Sequence, residues 1–211
     1  MINTIVNILI IIISITAINC KKIYENSFML DNEGWEIVGN KDISMPAIYE
    51  AYSISDSDNN NINRFIYGED TLINTDTTNK DKSKAHYDKN LWYFSKKFIE
   101  PLNVSDAKLL QLTLYGLSGD FSQYKLNDIH SVPFVRIYGK KNEVIETKPG
   151  LFIFEGGIKT FNIPFLQTKA FNKNIGSYLI DNVLSHITCI EILGDWTQRY
   201  ETVVLDNVVF L

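Results

Sequence analysis

Apolar and polar residues alternate at several places along this chain, and the alternation predicts strands. In Leu109 to Tyr115, Leu110, Leu112 and Leu114 fall on one side and Gln111 and Thr113 on the other. Pro133 to Tyr138 repeats the pattern, with Val135 and Ile137 set against Phe134, Arg136 and Tyr138. Gly139 to Asn142 reads as a turn, and Glu143 to Glu146 as its return strand. Leu151 to Phe154 and Thr160 to Leu166 predict two more strands, split by Gly156-Gly157. Pro164 cannot donate to a ladder, so its strand is expected at a sheet edge. Earlier in the chain, Ser27 to Val38 reads as strand, turn at Asp31-Asn32-Glu33-Gly34, and strand. Ala47 to Ser55 is a further strand candidate. Only Leu179, Ile180, Val183 and Leu184 recur at helical spacing, which predicts one short helix within Asn174–Leu184.

The chain closes on Ser185 to Leu211. This stretch reads as a strand, a polar turn carrying Trp196, and a closing strand, together a final hairpin. Ile190, Ile192, Val208 and Phe210 are expected in the core, as are Trp35 and Trp92 at strand starts. Two stretches are predominantly polar: Asp56 to Asn63, nearly free of apolar side chains and expected to be an exposed loop, and Glu69 to Asn90. Together they predict a polar loop insertion over residues 56–90, with Arg64-Phe-Ile-Tyr-Gly68 as an apolar island. Many short strands with frequent turns and almost no helix predict an all-β sandwich with one short helix and a long polar insertion.

The N-terminal pattern differs. Ile8 to Ile13 is continuously apolar but too short for a membrane span. With Ser14, Thr16 and Ala17 behind it, residues 1–20 predict a cleaved signal peptide, the alternative being a signal-anchor with Lys21 and Lys22 on the cytoplasmic side. Lipidation of Cys20 is a third option, but Asn19 sits where a lipobox needs a small residue. The remainder, residues 24–211, is long enough for one domain with one core. The expected location is secreted or within the secretory pathway, without stable membrane insertion after cleavage.

Composition changes the picture in two respects. A formal charge of −5 gives no electrostatic case for nucleic acid. Two cysteines, Cys20 and Cys189, make no disulfide framework, and Cys189 among apolar neighbours reads as a buried, inert thiol. His86, His130 and His186 lie on separate predicted elements, with neither metal spacing nor a nucleophilic constellation. Asn103-Val104-Ser105 is a glycosylation sequon.

Four pieces of sequence in order carry a family resemblance: Asp31-Asn-Glu-Gly-Trp35; Trp92-Tyr-Phe-Ser-Lys-Lys-Phe98 with Leu110-Gln-Leu-Thr-Leu114; Pro133-Phe-Val-Arg-Ile-Tyr-Gly139; and Val183-Leu-Ser-His-Ile-Thr-Cys-Ile-Glu-Ile192 with Leu205-Asp-Asn-Val-Val-Phe210. Together they resemble the laminin IV, or laminin B, domain. That resemblance implies a jelly-roll sandwich similar to galactose-binding and carbohydrate-binding modules, with no enzyme activity and no cofactor. In sandwiches of that type the first and last strands lie close and often share a structural calcium. Asp206 falls in the closing strand on the same face as Val204, Val208 and Phe210, and with Asp31 or Glu33 as hard oxygen ligands it is the candidate set. The other reading of Asp206 is a carboxylate bonded to nearby backbone. Trp196, with Asp195, Arg199 and Tyr200, is the candidate ligand surface, because an aromatic among polar neighbours is how sugar platforms and protein hot spots are built. Alternatively, Trp196 folds back as a plug over the core. The functional expectation is a non-enzymatic secreted adhesion module recognising a protein or glycan partner through loops at one end. Its alternatives are a structural subunit of a surface complex and, last, a carbohydrate-active enzyme.

Overall fold

The computed structural model describes residues 22–26, 31–39, 44–46, 48–56, 59–69, 91–118, 132–140, 143–166, 168–172, 176–196 and 201–211; residues 44–46, 48–56, 59–64, 69, 118 and 168 are described in backbone only. Residues 1–20, His86, His130 and the stretch 70–90 of the expected insertion lie outside the described residues.

Among the described residues, twelve strands run in chain order: β1 (Tyr24–Asn26), β2 (Trp35–Gly39), β3 (Ser44–Pro46), β4 (Ile48–Asp56), β5 (Asn59–Glu69), β6 (Trp92–Leu102), β7 (Leu109–Ser118), β8 (Val135–Tyr138), β9 (Val144–Glu146), β10 (Ile158–Pro164), β11 (Ile187–Leu193) and β12 (Thr202–Phe210). The helix α1 (Ser177–Leu184) precedes β11. Two antiparallel sheets form the sandwich, ordered β10-β7-β12-β5-β4 with β1 also on β12, and β3-β2-β6-β11-β8-β9.

The alternation read from the sequence becomes the inner faces. Leu110, Leu112 and Leu114 from the first sheet meet Phe94, Ile192, Val135 and Ile137 from the second, all essentially inaccessible to solvent. Trp35, Trp92, Ile190, Val208 and Phe210 are buried as expected. Burial of each such side chain contributes roughly 1.5–3 kcal/mol before entropy is counted. The Pro164 strand lies at a sheet edge, as proline requires. Gly34 has φ 75°, the left-handed conformation its turn demands.

Four local expectations are corrected. Asp56 and Asn59–Asn63 are not a loop but continue β4 and β5, which pair from Ile48↔Tyr67 to Asp56↔Asn59. Ladder hydrogen bonds between the two strands override the weak strand propensity of the asparagines. Leu151–Phe154 forms no strand, and Phe154 is buried against Phe161 and Trp196. The two closing strands are no hairpin either: β11 belongs to the second sheet and β12 to the first. The last turn therefore crosses from one sheet to the other. Finally, Asp206 shares a face with Val204 but not with Val208 and Phe210. The ladder shifts register between Asp206 and Val208, where Asn207 takes φ 54°. This bulge inserts one residue and reverses the facing of everything after it.

One end of the sandwich closes around Trp92. A methyl group added at Gly68 of β5 would lie 2.6 Å from its ring, and one added at Gly194 would lie 1.9 Å away. The ring is buried, so it cannot give way. Gly194→Ala is expected to destabilise the domain by about 3 kcal/mol or more. Gly176→Ala, at an ordinary φ with open space around it, should stay within about 1 kcal/mol. Urea unfolding of the two variants tests this: equal midpoints would mean that the approach at Gly194 does not constrain the fold.

Candidate binding surface

Trp196 is 1% exposed. It packs against Phe134 and Phe154 at centroid distances of 5.3 and 5.7 Å, and its indole N–H donates to the Leu193 carbonyl at 3.0 Å. Its backbone N–H donates to the buried carboxylate of Glu201 at 2.5 Å. The plug alternative describes this residue: an indole walled in by two phenylalanines offers no face to a sugar. Asp195 is half-buried, with its backbone N–H directed at the Trp92 carbonyl at 3.3 Å. Arg199 and Tyr200 lie outside the described residues.

The proposed metal set is not assembled. Among the described residues, no group of three or more His, Cys, Asp or Glu could hold a metal ion, and Asp31, Glu33 and Asp206 are all described. Each has other work. An Asp31 carboxylate oxygen accepts the Glu33 N–H at 2.6 Å, which shapes the turn before β2. The Glu33 carboxylate accepts the side-chain amide of Asn26. Asn26, itself buried, accepts in turn from Tyr24 at 2.5 Å and from the Trp35 indole at 3.3 Å. The turn is thus tied to β1 by a polar network, and Lys96 adds a bond to the Glu33 carbonyl at 2.6 Å. Asp206 accepts the Tyr115 hydroxyl at 3.1 Å.

That last contact belongs to a larger arrangement on the outer face of the first sheet. Register places Ile158, Tyr115, Val204 and Tyr67 in one row across β10, β7, β12 and β5. The next row carries Thr160, Thr113 and Asp206, and Phe65 alternates with core residue Ile66 to face the same way. A third row pairs Asn162 with Gln111. The rows are cross-linked: Gln111 donates to Asn162 at 2.9 Å, and the hydroxyls of Thr113 and Thr160 lie 2.9 Å apart. Val204 is fully covered although it faces outward, and Ile158 is exposed. The surface thus combines aromatic rings, an apolar edge and rows of donors and acceptors around one half-buried carboxylate. Burial raises the Asp206 carboxyl above its ordinary value, with the Tyr115 bond acting in opposition. It also lifts the Tyr115 hydroxyl to about 12, with the Asp206 charge adding to the rise.

Sequence reasoning found the polar side of β7 through Gln111 and Thr113, but not its partners. Those come from β10 and β12, and only register reveals them.

The outer face of the second sheet is arranged differently. Arg136 pairs with Glu146 at 3.0 Å and Glu191 at 3.4 Å, and it lies 4.8 Å over the ring of the buried Tyr93. Tyr138 also donates to Glu191, at 2.8 Å. Cys189 is half-buried, not fully buried, and sits 3.5 Å from the Ser95 hydroxyl, with burial raising its pKa. His186 contacts the neighbouring Ser185 hydroxyl at 2.8 Å.

No family model matches the chain, and no curated protein matches it. Among solved structures, it is similar to the L4b domain of human laminin alpha-2, with a TM-score of 0.54 and 10% identity over 89% of this chain and 97% of that one. The fold is laminin-IV-like. A family 11 carbohydrate-binding module from Clostridium thermocellum is similar at TM-score 0.45 and 11% identity, covering 90% of this chain and 95% of that module. An exo-beta-agarase is similar at TM-score 0.49 and 10% identity, with 88% of this chain matched to 24% of that enzyme. The two packed antiparallel sheets are the jelly-roll sandwich that the resemblance implied. Among the described residues, no helix is long and apolar enough to cross a membrane.

The raised Asp206 carboxyl has a pH signature of known sign. A carboxyl that holds its proton more tightly when folded loses stability as pH rises from about 3.8 through its folded value. Asp206→Asn keeps an acceptor for Tyr115 and removes that decline, so the variant should match or exceed the wild type at pH 7. Thermal unfolding across a pH series checks this, and parallel profiles for the two proteins would assign the decline elsewhere.

Proposed function

We propose that this domain is a secreted, non-catalytic binding module, and that its ligand is a glycan laid across the outer face of the first sheet. One observation carries the reading: Tyr67 and Tyr115 share a row next to the hydrogen-bonding row of Thr160, Thr113 and Asp206, and Phe65 faces the same way. Aromatic rings supply apolar area at low entropic cost, and hydroxyl-rich ligands need donors and acceptors at a fixed pitch beside it. Asp206 and the amides of Gln111 and Asn162 supply those groups. A rigid ladder holds them, so little ordering is required on binding. The similarity to a carbohydrate-binding module concerns fold only and does not name the ligand. The burial of Trp196 moves the proposed contact from the loop end to the sheet face.

A glycan array followed by calorimetry tests the reading. Tyr115→Ala and Tyr67→Ala should each weaken binding about tenfold or more, as removal of an aromatic anchor does. Asn32→Ala, in the turn before β2, should leave the affinity unchanged. An empty array, together with recovery of a stoichiometric protein partner from native material, would replace this reading with that of a structural subunit.

A further inference from the structure

We propose that Asn103 is the acceptor of an N-linked glycan, carried at one end of the sandwich. The inference rests on passage through a secretory compartment, which the N-terminal apolar run predicts. Asn103-Val104-Ser105 is the only Asn-x-Ser/Thr sequence in a chain otherwise rich in asparagine. It lies in the short link between β6 and β7.

The geometry of the link suits an acceptor. Val104 is fully buried, and its N–H donates to the Leu184 carbonyl at 2.8 Å. With the middle residue of the triplet anchored inward, the residues on either side are held outward, and both Asn103 and Ser105 are exposed. The Asn103 carbonyl oxygen accepts the Ser105 N–H at 3.1 Å. This uses the carbonyl end of the amide, and Asn103 makes no other side-chain hydrogen bond among the described residues. The reacting atom is the other end, Nδ2.

In the transfer, Asn103 Nδ2 attacks C1 of an oligosaccharide carried on a polyprenyl diphosphate. The N–C1 bond forms and the C1–O bond breaks. The diphosphate leaves with the electron pair, and the amide gives up one proton to the transferase.

The folded domain can carry the product. Glu100, Pro101, Ser105 and Asp106 around the site are also exposed. The backbone of the link is already satisfied without the Asn103 side chain: Ala107 donates to Val104 at 2.8 Å, and Lys108 to the Leu211 carbonyl at 2.5 Å. The glycan also stands clear of the proposed ligand surface. β6 runs eleven residues from Trp92 to Leu102, a length of about 35 Å, and Trp92 lies at the Trp196 end. Tyr115 is six residues up β7 from the glycan-bearing corner, about 20 Å away. A glycan on Asn103 therefore shields the end that holds α1 and Leu211, away from the Tyr67–Tyr115 row.

The test uses the full chain in a secretory host and the protein from native material. Treatment with an amidase that releases N-glycans should shift the wild-type band by one glycan and convert Asn103 to Asp, read by peptide mass. Ser105→Thr should keep the shift; Asn103→Gln and Ser105→Ala should lack it. Ser105→Ala retains the backbone N–H that holds Asn103, so loss of the shift there is not a folding defect. Secreted native protein with unmodified Asn103 would overturn the proposal and leave the binding reading intact. Unmodified protein retained in the cytosol would overturn both.

Discussion

The two sheets are locked together at one end by an indole pressed against bare backbone. Trp92 of β6 lies where Gly68 of the opposite sheet and Gly194 after β11 both come too close for any side chain. This fixes the separation of the sheets and ties three distant stretches into one corner. The Trp92 carbonyl extends the tie by accepting the N–H groups of Gly194 and Asp195 at 3.0 and 3.3 Å. The crossing turn thus leaves the second sheet at a set angle. Trp196 then drops between Phe134 and Phe154, and Glu201 holds its backbone before β12 enters the first sheet. The placement of β12, and hence of Asp206 and Val204 on the outer face, follows from this corner. A close-packed interior transmits such constraints because it has no voids in which to relax them.

The two outer faces show what the same framework can do with different side chains. On the second sheet, Arg136 is shared between Glu146 and Glu191 and roofs Tyr93, so charge is matched by charge within the protein. Such partly exposed pairs contribute little stability, but they leave few groups for an outside partner. On the outward positions of β7, β10 and β12 the polar groups are neutral but for Asp206, sit in rows, and are bridged pairwise. An amide or hydroxyl in one internal bond still has lone pairs or protons to offer. One face is knit by ion pairs and the other by neutral hydrogen bonds.

Much of the fold was legible, because strand alternation is a local property. Leu110, Leu112 and Leu114 announce their face whatever lies opposite. What was not legible is tertiary. Whether the strand after Trp196 returns to the same sheet or crosses to the other depends on the Trp92 corner, which no local pattern reports. One extra residue at Asn207 separates Asp206 from Val208, and Leu-Asp-Asn-Val reads equally well without it. Asp56 to Asn63 looked like a loop because propensity was weighed without the partner strand that overrides it. The candidate surface suffered most. Tyr115 and Asp206 are 91 residues apart in sequence, and Thr160 and Asn162 looked like ordinary polar positions until register set them beside Thr113 and Gln111. The turn around Trp196 drew notice because its composition resembles a binding loop, but composition does not distinguish a displayed ring from a buried one.

The short strand β1 has a mechanical meaning. It pairs antiparallel with the very end of β12, Tyr24 opposite Phe210, and the Ile23 N–H reaches the Phe210 carbonyl at 2.9 Å. The chain therefore enters and leaves the domain side by side. Tension applied through these two points would peel β1 from β12 one hydrogen bond at a time, whereas points at opposite ends would shear the whole ladder at once. Such a domain adds almost no length between its attachment points and hangs beside the line of force. Load applied there reaches first the bonds between β1 and the end of β12.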